Sequence, residues 1–445
     1  MGQNFIACDR EQTLLMPPDL REWLPEGHLA WFVIDAVAEL DLAGFYGDYR
    51  SDGHGRAAHD PAMMVALLLY GYAVGERSSR RIERRCLEDV AFRVVAANEA
   101  PDHATIARFR VRHQERLAGL FTQVLGLCGQ AGLVSVGVIA LDGTKLHAAA
   151  SGQANRGYGQ IARELLEEAA AVDAAEDAAF GERRGDELPP EFAARGSRLE
   201  RLREAKRRLD EQQAVERVAL EELEAARARR KRELAARGRK PKGRPPKPRE
   251  LHDEPAGKVN VTDPDSKVMR THRGFIQGYN AQAVATEHQI IVAADLVAQS
   301  PDAGLLEPMI TQTRDELLAA GVEATPEVVV ADAGYWSRSQ IDALAEHGIE
   351  ALVPPDGHSS TGPPSQRLGG VYDEMRRKLG SDEGRELYRK RQHMIEPVFA
   401  QTKVTRGAER FQRRGMPACR AEWRLITATH NLLKLWRAGL TPATS

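Results

Sequence analysis

Three acidic residues of this chain stand where carboxylates could bind divalent metal ions. Asp142 follows the run VGVIAL, Asp332 follows the run EVVVA, and Glu396 is the one acid in the basic stretch YRKRQHMIEPVFAQTK. An acid at the end of a buried strand has a rigid backbone, and its side chain emerges at the sheet edge where ligands bind. Because hard cations such as Mg²⁺ prefer oxygen ligands, the three acids predict metal-dependent phosphoryl transfer.

Other acids compete with these three for the same interpretation. Asp263 and Asp265 lie in VTDPDSK, where an Asx-turn beside proline accounts for them without a metal. Asp295 follows the apolar run IIVAA, so the pattern alone does not separate it from Asp332. An aspartate at a strand end is more often a turn or cap residue than a ligand, and for each acid alone that alternative stays open.

The composition favours a cytoplasmic protein with two or three domains. The chain has 445 residues and a formal net charge of −2, so its total charge does not point to a nucleic-acid partner, although local basic stretches do. The four cysteines stand apart from one another, with no C-x-x-C, which argues against structural zinc and a disulfide framework. The N-terminus lacks the pattern of a signal peptide, and the most apolar run, PAMMVALLLYGYAVG, is too short to span a bilayer.

Residues 1–133 are predicted to be helical and to bind DNA. Asp60 and Pro61 occupy the N-cap and first positions of one helix, and Asp102 or Thr105 can cap another. Two short helices followed by a basic third helix outline a helix-turn-helix reader. Its candidate DNA contacts are Arg108 and Arg110. The alternative is a helical bundle with a solvated arginine face.

From residue 134 onward the pattern changes to that of an α/β domain with a mixed sheet. Apolar strands and helices alternate over residues 134–151 and 257–445. Between them, residues 152–256 form a helical insert, in which a capping box at Ser197 and Glu200 begins a helix of about 40 residues. The insert ends in RGRKPKGRPPKPRE, with seven cations and no acid between Arg237 and Arg249. This arm is predicted to bind phosphates, and the alternative is a solubilising linker.

Several ordered blocks of the chain resemble the bacterial insertion-sequence DDE transposases. The stretch YRKRQHMIEPVFAQTK resembles their Y-R-E-K signature, ALDGTKLHAAAS their first-aspartate strand, and VVVADAGYWS their second-aspartate strand. PDHATIARFR resembles the end of their N-terminal helical domain, and THNLLKLW their C-terminal helix. The resemblance covers nearly the whole chain apart from the details of the insert.

The resemblance implies a fold and a site. The fold is α/β: an RNase H-like mixed-sheet catalytic core, interrupted by the long helical insert and preceded by an all-helical N-terminal domain. Asp142, Asp332 and Glu396 would be the DDE triad, and would hold two Mg²⁺ ions, with Mn²⁺ as a substitute. The accompanying Y, R and K, which would contact DNA, are Tyr388, Arg391 and Lys403. One departure is that four residues separate Arg391 from Glu396 instead of three, which would rotate them about 140° apart on one continuous helix.

The resemblance also implies an activity and partners. A transposase of this kind would cut double-stranded DNA at the terminal inverted repeats of its element. It would then join the ends to target DNA by a two-metal mechanism, as a homodimer that holds two ends. It would act in the cytoplasm on the nucleoid, with no membrane partner. Trp336 would stack on an unpaired base, or else simply pack. Two alternatives stay open: a non-catalytic DNA-binding protein derived from a transposase, and a metal-dependent nuclease that only hydrolyses.

Overall fold

A computed structural model of the protein describes residues 19–49, 57–180, 196–236, 257–271, 273–356 and 369–439. The basic arm at the end of the insert and the first 18 residues lie outside these described residues. Within them, no helix combines the length and the apolar character needed to cross a membrane.

Among the described residues before the sheet there are seven α-helices, as the sequence predicts for an all-helical N-terminal part. They are α1 Leu29–Ala38, α2 Ala43–Gly47, α3 Pro61–Ala73, α4 Ser79–Glu88, α5 Val90–Val95, α6 His103–Arg112 and α7 Gln114–Gln130. The predicted caps are present. The Asp60 carboxylate accepts the N–H of Met63 at the start of α3, and Asp102, rather than Thr105, caps α6.

The core contains a mixed six-stranded sheet, which agrees with the expected RNase H-like α/β fold. Its strands are β1 Val138–His147, β4 Lys267–Thr271, β5 Gly274–Thr286, β6 Ile291–Val297, β7 Val328–Ala331 and β8 Glu350–Leu352. β1, β7 and β8 are parallel neighbours, and β5 pairs antiparallel with β1, β4 and β6. Because β6 and β1 are both antiparallel to β5, the carboxyl ends of β1, β6 and β7 lie at one edge of the sheet.

Helices cover the sheet and complete the core. They are α10 Leu306–Ala319, α11 Arg338–Glu346, α12 Val371–Gly380, α13 Asp382–Met394, α14 Glu396–Ala400 and α15 Met416–Arg437, with the insert helices given below as α8 and α9. A π-helical turn, Gln401–Thr405, continues α14. The C-terminal helix α15 buries Trp423, Leu425, Leu432 and Leu435, and it packs on both β6 and α7. These side chains form the apolar face of the helix, and the C-terminal helix implied by THNLLKLW is present.

The insert is a helical hairpin with a small core of its own. Its helices are α8 Tyr158–Phe180 and α9 Gly196–Ala236, so the predicted long helix is confirmed. Ile161, Leu202 and Leu209 pack together with Val259, apart from the main core. Two short strands, β2 Asn155–Arg156 and β3 Val259–Asn260, pair where the insert leaves and rejoins the chain.

A buried ion pair joins the helical N-terminal part to the sheet-containing core. Arg77, in the turn after α3, donates from Nη1 to Oε1 of Glu422 on α15 at 2.8 Å. Arg77 also donates to the carbonyls of Gly407 and Arg410, and Glu422 accepts the backbone N–H groups of Gln412 and Arg413. Both side chains are buried, and one hydrophobic cluster extends from α1 to α15. The two parts therefore pack as one body, although the boundary at residue 133 remains a prediction.

We expect Glu422→Ala to lower the free energy of unfolding by about 3–5 kcal/mol, because it leaves the Arg77 guanidinium buried without its carboxylate. Urea denaturation measures this change. Asp342→Ala is the matched control, since it removes an exposed pair with Arg338 on one helix and should change stability by less than about 0.5 kcal/mol. A loss below about 1 kcal/mol for Glu422→Ala would show that the backbone carbonyls alone satisfy Arg77.

Candidate active site

Asp142 and Asp332 lie side by side on two neighbouring parallel strands. Leu141 of β1 pairs with Ala331 of β7, so each aspartate directly follows the paired part of its strand. Asp332 accepts the N–H of Gly334 at 2.8 Å and so begins a tight turn. The strand-end prediction agrees with Asp332, which follows β7, but is wrong for Asp142, because β1 continues beside β5 to His147. Both acids lie at the edge of the sheet where loops leave space for a ligand.

Glu396 reaches the same place from a helix and is linked to Asp142 by an arginine. Arg391 Nη2 donates to Asp142 Oδ2 at 2.7 Å, and its Nη1 lies 3.8 Å from Glu396 Oε1. The helix is interrupted at Ile395, where φ is −108° and ψ is −33°, so α13 ends before Glu396 begins α14. The rotation expected on one continuous helix therefore does not apply, and Arg391 contacts both acids.

Burial and neighbouring charges act in opposite directions on Asp142. The pKa of Asp142 is raised to about 6, mainly by burial and also by the nearby Asp332 and Asp302 carboxylates. The Arg391 guanidinium and the N–H of Gly143 oppose this rise in the pKa. The side chain of Asp142 is 17% exposed, whereas that of Glu396 is 53% exposed. Asp142 is therefore the less exposed of these two predicted triad acids.

Two family models match this chain, and both describe transposases. A model of a transposase domain (DUF772) matches residues 18–112, and a model of a transposase DDE domain matches residues 257–432. The chain belongs to the DDE transposase family. No curated protein and no solved structure matches it. The second match contains Asp332 and Glu396 but not Asp142, so the assignment of Asp142 rests on its register with β7 and on its contact with Arg391.

Two other predicted DNA contacts of this transposase lie beside the triad. Lys403, on the π-helical turn, donates from Nζ to the carbonyl of Lys145 at 3.1 Å, which places it along β1. Burial lowers the pKa of Lys403. Tyr388 lies one turn before Arg391 on α13, partly buried against the core. Burial raises the pKa of the Tyr388 hydroxyl, which keeps it protonated and able to donate a hydrogen bond.

The remaining predicted contacts lie away from the triad. Trp336 is partly buried and packs on Tyr372, with ring centroids 5.3 Å apart, which fits the packing alternative better than stacking on a base. Arg108 is exposed on α6, whereas Arg110 is buried with its guanidinium over the ring of Tyr72. A side chain buried in this way does not reach a DNA backbone, so only Arg108 remains a candidate contact on this helix.

Asp302 is a fourth acid of the site, and sequence analysis missed it. It lies in the turn between β6 and α10, where it accepts hydrogen bonds from Asn280 and Gln282 and pairs with Lys145 at 3.2 Å. A side chain at Gly143 would meet it, since a Cβ there would lie 2.7 Å from Asp302 Oδ1. The signal that could have revealed it is topological: β6 ends at the same sheet edge as β1 and β7.

The donor set of this transposase fits a hard divalent cation. The three triad carboxylates supply only oxygen, which suits Mg²⁺ or Mn²⁺. Within the described ranges, no three His, Cys, Asp or Glu side chains are already gathered closely enough to hold a metal. The Arg391 cation lies between Asp142 and Glu396 and contacts both carboxylates.

We expect Asp142→Asn to be more stable than wild type at pH 7.5. The folded protein holds the Asp142 proton more tightly than the unfolded chain does, with a pKa of about 6 against 3.8. That stabilisation is complete below pH 3.8 and is lost as the pH rises through 6, which amounts to about 3 kcal/mol. Asparagine is neutral at every pH but loses the ion pair with Arg391. We therefore expect the free energy of unfolding of the variant to exceed that of wild type by about 1–3 kcal/mol at pH 7.5, and this difference to vanish near pH 4.

Urea denaturation of both proteins from pH 4 to pH 7.5 measures this difference. Asp295→Asn is the control for the loss of one sheet aspartate, because Asp295 pairs with Arg420 outside the triad. If Asp142→Asn were less stable than wild type at pH 7.5, the ion pair with Arg391 would outweigh the burial of the carboxylate.

Proposed function

We propose that this transposase cuts DNA at the ends of its element and joins those ends to target DNA, with Asp142, Asp332 and Glu396 as the catalytic triad. The observation that carries the proposal is the convergence of the three acids: Asp142 and Asp332 follow the paired parts of β1 and β7, and Arg391 links Asp142 to Glu396. Three distant segments of the chain meet at one sheet edge. This arrangement suits phosphoryl transfer, which depends on positioning and on charge stabilisation.

The three carboxylates would hold two Mg²⁺ ions, and members of this family generally depend on divalent metals. Bound Mg²⁺ would supply an activated water or 3′-hydroxyl and would stabilise the leaving oxygen. Asp142 lies centrally, next to Asp332 and joined through Arg391 to Glu396, so it is the acid placed to be shared. Its carboxylate is largely ionised above pH 6, which fits activity at neutral pH.

The cations around the triad would bind the DNA backbone. Lys403 and Arg391 would neutralise phosphates on either side of the reacting one, and Tyr388 would donate a hydrogen bond to another. Arg391 has a second task before DNA binds, because it neutralises two of the acids. The partners proposed are the terminal inverted repeats and the target DNA. A homodimer is proposed because two ends must be held at once.

A cleavage and joining assay tests this proposal. Its substrate is labelled DNA that carries the two flanking ends of the element. We expect wild type to cut and join with Mg²⁺ or Mn²⁺ and to do neither with EDTA. Asp142→Asn, Asp332→Asn and Glu396→Gln should each lower the rate by more than about 100-fold, since even the loss of an outer partner of a metal ligand costs about 10–100-fold. Asp295→Asn, the matched strand-end variant, should retain activity within about threefold.

The products distinguish this function from its alternatives. Cutting without joined products would identify a nuclease that only hydrolyses. Binding of the ends by every protein, with no cutting by wild type, would identify a DNA-binding protein without catalysis. Full activity in any triad variant would remove that residue from the triad.

A further inference from the structure

A row of three cations follows β1 away from Asp142. Each donates to a backbone carbonyl of β1 or of the segment directly after it: Lys403 to Lys145 at 3.1 Å, Arg410 to Ala148 at 2.9 Å, and Arg414 to Ala149 at 2.9 Å. These contacts hold one side of each cation in place. We call Lys403, Arg410 and Arg414 the cation row.

The cation row begins near the triad and ends well away from it. Lys145 is three residues and Ala148 six residues beyond Asp142, which corresponds to about 10 Å and about 20 Å along a strand. Arg410 and Arg414 are exposed, and within the described part of the chain no member of the row has an acid within ion-pair distance. Cations that are fixed in position but lack an acidic partner suit a polyanion that runs along β1.

The row ends at a cavity with an aromatic rim. The cavity has a volume of about 550 Å³, a size that suits a small ligand. Arg410 and Arg414 line it together with His147, Ser151 and Phe275. The ring of Phe275 is 76% exposed, although it belongs to a strand whose later residues are buried. An exposed phenylalanine beside arginines is the combination with which proteins stack an unpaired base and hold its phosphate.

Phe275 projects from the same side of the sheet as Asp142. Ala283 of β5 pairs with Asp142, and paired residues of an antiparallel ladder point to the same side. Successive residues of a strand alternate, so Phe275, eight residues before Ala283, points to that side as well. The distance along β5 is about 26 Å. Tyr279 and Ala281, which lie between Phe275 and Ala283 on that side of β5, are buried, so a DNA strand that passes the triad reaches the cavity along the cation row beside β1 and not over the face of β5.

We propose that the cation row and the Phe275 cavity bind the DNA strand that leaves the triad, and that the cavity takes one unstacked nucleotide of it. Arg410 and Arg414 bind its phosphates, and its base stacks on Phe275. The position of the cut relative to this nucleotide rests on the proposed function above, whereas binding of the strand does not. A lone anion would use the arginines but not the aromatic ring, so we assign a nucleotide.

The experiment pairs Phe275→Ala with an abasic scan of the DNA. The probe is a labelled duplex that carries the element end, with one abasic site moved through the eight positions on each side of the expected cut. Affinities are measured in EDTA, so that no cleavage occurs. Loss of one stacked base corresponds to between about fivefold and about 100-fold in affinity. We expect Phe275→Ala to weaken binding by that factor on intact DNA, but to have no effect on DNA that is abasic at one position.

The arginines give a second, independent readout. The Arg410→Ala/Arg414→Ala double variant should weaken binding on all probes and lower the slope of log K against log salt by about 2, since about one counterion is released per phosphate contact. Leu318→Ala and Arg314→Ala are the matched controls, because both residues are exposed on α10, away from the row. We expect both to bind as wild type does.

The outcomes separate this inference from the proposed function. If wild type cuts and joins DNA but Phe275→Ala binds all probes as wild type does, the cavity assignment is overturned and the transposase mechanism stands. Equal weakening on intact and on every abasic probe would also overturn it, because Phe275 would then act on folding. If no protein cuts DNA, yet the effect of Phe275→Ala on affinity disappears on DNA that is abasic at one position, the cavity assignment stands and the catalytic proposal fails.

Discussion

The repulsion between buried carboxylates is the constraint on which this structure depends. Asp142 and Asp332 lie side by side on neighbouring strands, and burial, Asp332 and Asp302 all oppose the ionisation of Asp142. The guanidinium of Arg391 compensates, and it does so from the last turn of α13, just before the helix is interrupted at Ile395 and restarts at Glu396. Arg391 can thus contact two acids from one position. The break in the helix is therefore as much part of the site as the acids are.

Features that depend on neighbouring residues could be predicted from the sequence, and features that depend on packing could not. The caps at Asp60 and Asp102 follow from local hydrogen bonds, and the strand before Asp332 follows from its apolar run. The contact between Arg391 and Asp142 spans 249 positions, and no local pattern reports it. The position of Asp302 near Asp142 could not be predicted from the sequence, because it depends on the direction of β6, which is a property of the whole sheet.

The two predicted DNA contacts of α6 differ because of helix geometry. Arg108 and Arg110 are two residues apart, and residues two apart on a helix point in nearly opposite directions. Arg110 lies inside, over Tyr72, while Arg108 and Arg112 share the outer side. Helical periodicity alone would have separated them. The burial of Arg110, together with the Arg77–Glu422 pair, also shows that the helical part and the core share charged as well as apolar contacts.

The short ladder between β2 and β3 has a consequence for how this protein can change. Asn155 and Asn260 pair where the insert begins and ends, and Asn260 also donates to the carbonyl of Ser151. The two chain ends of the hairpin are thus tied to each other before the chain continues into the sheet. Helices of another length or sequence could be exchanged there while β1 and β5 keep their alignment. An engineer could therefore replace this appendage with a different module, at the cost of the ion pair between Arg208 of α9 and Asp265.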